Sequence, residues 1–133
     1  MNQEQLIRIQ LMEQEANQLN QQLQLVEENV KEFRELIESL NEIGNGKEIL
    51  VNLGKKLYTK VEIKDDKLIV DVGKGNFVKK TIPDTKEIIN NQIEKLSEIR
   101  EEIMKRLEVL QEEINFLILE IEKEQKEQRN KKR

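Results

Sequence analysis

The chain of 133 residues has no cysteine, histidine or tryptophan, and aromatic residues make up only 3% of it. Absence of cysteine excludes disulfides and thiol chemistry. Without histidine or cysteine, most nucleophile–base pairs and most transition-metal sites are excluded as well. So few aromatic side chains leave little to fill a thick interior, whereas a thin seam between two helices needs less. The composition favours long helices and argues against an enzyme.

Long apolar runs are also missing. No stretch approaches the ~20 apolar residues that a membrane-spanning helix needs. The opening segment, MNQEQLIRIQ, lacks the basic start and the apolar core of a signal peptide. We therefore expect a cytoplasmic protein with no membrane partner.

Charge is plentiful but segregated. Of 23 basic and 27 acidic residues, ten lysines and six acids lie between Lys47 and Lys86, which leaves 13 basic and 21 acidic residues elsewhere. A basic segment can bind nucleic acid, and such binding would depend strongly on salt. This segment has no arginine, and lysine commonly protects strand edges from unwanted pairing. We expect edge protection and no nucleic-acid partner.

Apolar residues recur at steps of three and four in the first part of the chain. They are Ile9, Met12, Ala16, Leu19, Leu23, Val26, Val30, Phe33, Ile37 and Leu40. Such heptad spacing makes a narrow apolar row on one side of a helix, about 48 Å long at ~1.5 Å per residue. Because Gly44-Asn45-Gly46 interrupts the heptad spacing, we predict that the helix covers residues 1–43.

The last part of the chain repeats this spacing. The row is Ile89, Ile93, Leu96, Arg100, Ile103, Leu107, Leu110, Ile114, Leu117 and Ile121. Arg100 interrupts it, and we expect Ile99 to carry part of that layer. Pro83 precedes Asp84 and Glu87, whose spacing resembles a capping box. The prediction is a helix over residues 84–128 and a basic tail over residues 129–133.

The two rows are nearly equal in length, so they can pair within one chain. An antiparallel coiled coil would place Leu40 opposite Ile89 and Ile9 opposite Ile121. A parallel homodimer through each helix is the competing arrangement. Matched lengths favour the antiparallel hairpin, within a single domain of residues 1–133.

Residues 48–82 alternate apolar and polar side chains, as short strands do. The segment ILVNLGKKLYTKVEI (Ile49–Ile63) aligns without gaps with LIVDVGKGNFVKKTI (Leu68–Ile82), which predicts the same β-hairpin made twice. Isolated hairpins are marginal in water and their edges are unpaired, so we expect the module to pair with other chains. Its predicted assembly residues are Leu50, Val51, Leu53, Leu57, Tyr58, Val61, Ile63, Leu68, Val70, Val72, Phe77 and Val78.

No chemical motif emerges from the rest of the sequence. Gly44-Asn45-Gly46-Lys47 lacks the spacing of a phosphate-binding loop and the Ser or Thr that follows its lysine. Asp65, Asp66 and Asp71 form no twelve-residue calcium loop. We expect no catalytic residue, no metal site and no cofactor.

Apolar residues off the rows gather around row residues at the two outer ends of the helices. Near Ile9 and Met12 of the first row they are Leu6, Ile7 and Leu11, and near Leu117 and Ile121 of the second row they are Phe116, Ile118 and Leu119. We name these ten residues the terminal cluster. Antiparallel pairing brings its two halves together. Exposed apolar surface of this kind marks a binding site for apolar partners; the alternative is packing on a neighbour or closure of the seam.

The order of long helix, VNLG and VDVG hairpins, and second long helix resembles an archaeal prefoldin alpha-class subunit over nearly the whole chain. Beta-class subunits have one hairpin, so two hairpins favour the alpha class. Two positions depart from the family pattern: Asn52, where many members have proline, and Lys55-Lys56, where small residues or glycine are common.

The resemblance implies a hexamer of two alpha-class and four beta-class subunits whose hairpins join into a β-barrel. It implies an ATP-independent chaperone that holds unfolded polypeptide clients at the coiled-coil tips and delivers them to a group II chaperonin. A structural scaffold or filament-forming prefoldin-like protein is the alternative, because the unpaired hairpin edges would serve either.

Overall fold

The computed structural model describes residues 2–43 and 46–131. In chain order its elements are α1 (Gln3–Glu42), β1 (Glu48–Gly54), β2 (Leu57–Glu62), β3 (Lys67–Gly73), β4 (Asn76–Thr81) and α2 (Ile82–Lys131). Two long helices and two small hairpins are the predicted fold class, which is confirmed. The described chain divides into two compact units: residues up to Glu28 with those from Leu96 onward, and Asn29–Lys95.

In the first unit, the helices pair antiparallel along the predicted apolar rows. On α2, Ile103, Leu110, Ile114, Leu117 and Ile121 are buried, with Leu110 only 1% exposed. The facing α1 residues, from Ile9 to Val26 along the row, are half-buried. Polar contacts fix the direction, because Gln5 on α1 reaches Glu124 on α2 whereas Glu27 reaches Arg100.

Arg100 leaves the seam rather than filling its layer. Its Nε donates to Glu27 Oε1 at 3.2 Å, and both side chains remain about half exposed. Ile99 is 44% exposed, so the expected replacement of the missing apolar contact by Ile99 is minor. The apolar row is interrupted here because burial of an unpaired guanidinium is costly, and Arg100 pairs with Glu27 at the surface instead.

In the second unit, Leu40 on α1 and Ile89 on α2 are the buried residues. Val30, Phe33, Ile37 and Ile93 along the same rows are half-buried. These are the positions that the heptad spacing predicted.

The helix ends differ from prediction. α2 begins at Ile82 rather than residue 84, because Thr81 caps it: Thr81 Oγ1 accepts the Asp84 backbone N–H at 3.2 Å. Pro83 therefore lies in the first turn, where its missing N–H costs nothing. α2 also continues to Lys131, beyond the predicted end at residue 128, since helix-forming residues follow without a breaker.

α1 ends at Glu42, and the predicted stop at Gly44 lies outside the described residues. Its start is capped by Asn2, whose Oδ1 accepts the Gln5 backbone N–H at 2.8 Å. No helix in residues 2–43 and 46–131 is long and apolar enough to cross a bilayer.

The two hairpins repeat one another in structure as in sequence. β1 pairs antiparallel with β2, and β3 with β4, and each pair has a register shift before its turn. At that shift Asn52 Oδ1 accepts the Gly54 N–H at 2.8 Å, and Asp71 Oδ1 accepts the Gly73 N–H at 2.9 Å. Asn52 therefore accepts the same hydrogen bond in the first hairpin that Asp71 accepts in the second. Proline could not, because its side chain has no hydrogen-bond acceptor.

Both hairpins close through two-residue turns whose residues have positive φ. The first turn uses Lys55 (φ 49°) and Lys56 (φ 66°), and the second uses Lys74 (φ 53°) and Gly75 (φ 75°). Such turns suit the twist of the strands, but they require both turn residues to adopt left-handed backbone dihedral angles. A residue with a Cβ is strained there, so the first turn carries strain at Lys56 that the second avoids at Gly75.

Lys56→Gly should relieve that strain and stabilise the β1–β2 hairpin by about 1 kcal/mol. Hydrogen exchange of the β1 and β2 amides measures this, and the β3–β4 amides serve as an internal reference. The matched control is Lys60→Gly, within β2, which should weaken the same hairpin. Unchanged or faster exchange in Lys56→Gly would contradict the strain at this turn.

Candidate functional site

The terminal cluster lies in the first unit and divides into seam residues and exposed residues. Ile9 and Met12 are half-buried, and Leu117 and Ile121 are buried in the seam. The remaining six are between 39% and 62% exposed: Leu6, Ile7, Leu11, Phe116, Ile118 and Leu119. The seam residues support the helix pair, and the six exposed residues are the surface that could contact a partner.

These exposed side chains surround the helix pair rather than line one pocket. Successive residues of a helix are turned by about 100°. With Leu117 facing the seam, Phe116 and Ile118 therefore point to solvent on opposite sides, 62% and 41% exposed. Leu119, three residues after Phe116, shares the side of Phe116. Such an arrangement suits many loose apolar contacts better than one shaped ligand.

One side of this region forms a groove of about 430 Å³ between the helices. Its apolar part is Met12, Phe116 and Leu117. Its charged part comprises one cation from α1 and three acidic residues from α2: Arg8, Glu112, Glu113 and Glu120. The groove is therefore apolar at its base and predominantly acidic at its rim.

A bidentate ion pair follows Met12 one turn along α1. Arg106 Nε and Nη2 donate to Glu15 Oε1 and Oε2 at 3.0 and 3.1 Å. The hydrogen bonds from Arg106 lower the pKa of the Glu15 carboxyl; its charge acts the same way and partial desolvation opposes both. The same hydrogen bonds raise the pKa of Arg106. This pair joins α1 to α2 in the antiparallel register.

Other exposed apolar side chains lie along the helices; sequence analysis named none of them except Ile99, which it placed in the seam. They are Leu25, Ile99, Met104 and Val109 in the first unit, and Leu36 and Ile88 in the second, each 42–60% exposed. The available signal was an apolar residue outside the heptad row. Exposed apolar surface is thus not confined to the terminal cluster, which is distinguished by its density.

The predicted assembly residues occupy both faces of the hairpins. Val51, Val61, Ile63, Leu68 and Val70 are half-buried, whereas Leu50, Leu53, Leu57, Tyr58, Val72, Phe77 and Val78 are exposed. Ile69, 70% exposed, was missed although the repeat alignment equates it with Leu50. The hairpins form two separate two-stranded sheets, so each has outer edges without a strand partner among the described residues.

Within residues 2–43 and 46–131, no group of three acidic side chains is arranged to hold a metal ion. The polar groups present are surface carboxylates, lysines and arginines, which can orient a charged partner. What the arrangement offers is apolar contact with electrostatic selection.

Comparison with known proteins matches residues 12–127 to the family model described as prefoldin subunit. The chain is 30% identical to prefoldin subunit alpha of Archaeoglobus fulgidus over 110 residues, 80% of each chain. It is 31% identical to prefoldin subunit alpha 1 of Methanocaldococcus jannaschii over 112 residues, 79% of each. Among solved structures, it is similar in fold to filamentous PFD from Methanocaldococcus jannaschii, with a TM-score of 0.52, 22% identity, and coverage of 87% of this chain and 93% of that one.

Removal of Arg106 should change the titration of the Glu15 carboxyl. In Arg106→Gln, the pKa of Glu15 should rise toward its ordinary value, as measured by an NMR pH titration of the Glu15 carboxyl. Because the folded-state pKa is lowered, the pair stabilises the fold above the unfolded-state pKa and loses its effect as pH falls through the folded-state pKa. Arg100→Gln, which removes the partner of Glu27 instead, should leave the Glu15 titration unchanged; a Glu15 midpoint that Arg106→Gln does not move would contradict the assignment.

Proposed function

The chain belongs to the prefoldin subunit family, and from that membership we propose that it is an alpha-class subunit of an ATP-independent chaperone that holds unfolded polypeptide. The observation that carries this proposal is the terminal cluster, where six large apolar side chains remain 39–62% exposed. Unfolded chains expose apolar side chains of varied shape, and a dispersed apolar surface suits them. The role is binding without catalysis, cofactor or nucleotide.

Weak individual contacts fit this role. Burying one large apolar side chain is worth roughly 1.5–3 kcal/mol, and association costs several kcal/mol. A terminal cluster that uses a few partial contacts would bind a client weakly. Several copies in one assembly could hold the same client with much higher avidity. Weak single contacts also permit release, as delivery to a group II chaperonin requires.

Assembly is proposed to run through the hairpins. Leu50 and Tyr58 lie on one face of the first hairpin, and Ile69 and Phe77 lie on the equivalent face of the second; all four are 58–70% exposed. Such apolar faces and unpaired strand edges are costly in water. Beta-class subunits that share this family's hairpin would cover them by extending the sheets into a closed barrel.

A scaffold or filament built from this chain alone is the second candidate. The unpaired hairpin edges would support polymers as well as a closed assembly. The two functions differ in what the chain forms without beta-class partners.

Replacing Leu11, Phe116 and Leu119 with serine should clearly reduce suppression of aggregation of a chemically denatured test protein. These side chains are 60–62% exposed, so the seam and the assembly should survive their loss. Light scattering of the aggregating protein measures activity, and circular dichroism and complex mass verify the fold.

The matched control replaces Leu25, Ile99 and Met104, which are also exposed apolar residues of the same unit. Retained activity in the control with loss in the terminal variant supports client binding by the terminal cluster. Full activity of an intact terminal variant would contradict it.

Leu50→Ser with Ile69→Ser should prevent assembly and leave a helical chain, because each removes an apolar side chain from an exposed hairpin face. Native mass spectrometry with and without a single-hairpin subunit measures the outcome. The control is Lys60→Ser with Lys79→Ser, since these lysines are the cross-strand partners of the two apolar residues. For the unmodified chain, a hexamer that forms only in the presence of the single-hairpin subunit supports the chaperone. Long polymers formed by the unmodified chain alone support the scaffold.

A further inference from the structure

The groove beside the terminal cluster combines apolar and acidic groups in a way that simple apolar capture does not require. Met12 and Leu117 lie in the seam at its base, and Phe116 forms an exposed wall. At about 430 Å³ it falls within the size range of small-ligand pockets. It can therefore take a few side chains of an extended segment, but not a folded surface.

Charge around this groove is unbalanced. Glu112, Glu113 and Glu120 line it against a single cation, Arg8. None of these three glutamates forms an ion pair within the part of the chain that the structure describes. Arg106 acts electrostatically on Glu113, but its guanidinium is already bound to both Glu15 carboxylate oxygens. The rim therefore retains a negative field.

We propose that this groove selects client segments in which lysine or arginine flanks a large apolar residue. This inference rests on the proposed function and adds a chemical preference to it. Lysine and arginine have apolar stems that can lie on Phe116 and Met12 while their charged ends reach the glutamates. The ring face of Phe116 attracts cations as well. A segment flanked by acidic residues would meet like charges at the same rim.

The test measures binding of fluorescent peptides to the full-length chain by anisotropy. The peptides share one apolar sequence and differ only in flanking lysine, glutamine or glutamate. Exposed ion pairs are individually weak, so the lysine peptide should bind about tenfold tighter than the glutamate peptide when all three carboxylates contribute. The preference should fade at about 1 M salt, where the Debye length is ~3 Å.

Two groove variants place the preference at these residues. Glu112→Gln with Glu113→Gln and Glu120→Gln should bring the lysine-to-glutamate ratio close to one without abolishing binding. Arg8→Gln should increase the ratio, because it removes the only cation of the lining. The matched control, Glu101→Gln with Glu102→Gln and Glu108→Gln, changes the net charge equally on exposed α2 positions outside the groove and should keep the wild-type ratio.

Two results would overturn the proposal while leaving the proposed function intact: equal binding of all peptides by the wild-type chain, or an equal loss of preference in the groove and control variants. In both cases apolar capture persists without selection by the groove. Failure of the wild-type chain to bind any of the peptides would overturn the selection together with client binding by this chain.

Discussion

Burial of one narrow apolar row on each long helix is the interaction on which the rest of this structure depends. Leu110, at 1% exposure, and the buried α2 residues near it lie on that row. Burying each large side chain contributes roughly 1.5–3 kcal/mol, and the antiparallel rows supply many such contacts. A two-helix seam is thin, however, so a side chain one residue off the row remains in solvent.

Because the seam is thin, the same helices also present apolar side chains to solvent, where they can contact a partner. A globular core would absorb Phe116, Ile118 and Leu119, whereas here they remain 41–62% exposed next to buried Leu117. The apolar surface is therefore maintained by helix geometry and needs no lid or cavity. Such a surface attracts other apolar surfaces, and the proposed binding of unfolded chains would use that attraction.

A different constraint applies to the hairpins, because a two-stranded sheet cannot bury both of its faces by itself. Their duplication extends to the register shift and to the side-chain hydrogen bonds from Asn52 and Asp71. It does not extend to the turns, because Lys56 stands where the second copy has Gly75. Exposed residues such as Leu50 and Ile69 lie on equivalent faces, and these are the faces that we propose other chains cover.

The sequence by itself determined the two helices, the doubled hairpin and the seam residues. Heptad and alternating spacing are local patterns, and helix and strand geometry place residues with those spacings on one face. It placed the start of α2 at Asp84 rather than Ile82, since the spacing does not reveal whether Thr81 can turn its hydroxyl toward the Asp84 N–H. Only the tertiary structure decided which acids share a groove with Arg8. Residues about a hundred positions apart meet there, and their alignment depends on the register between the helices, which packing of the two rows sets and neither row specifies alone.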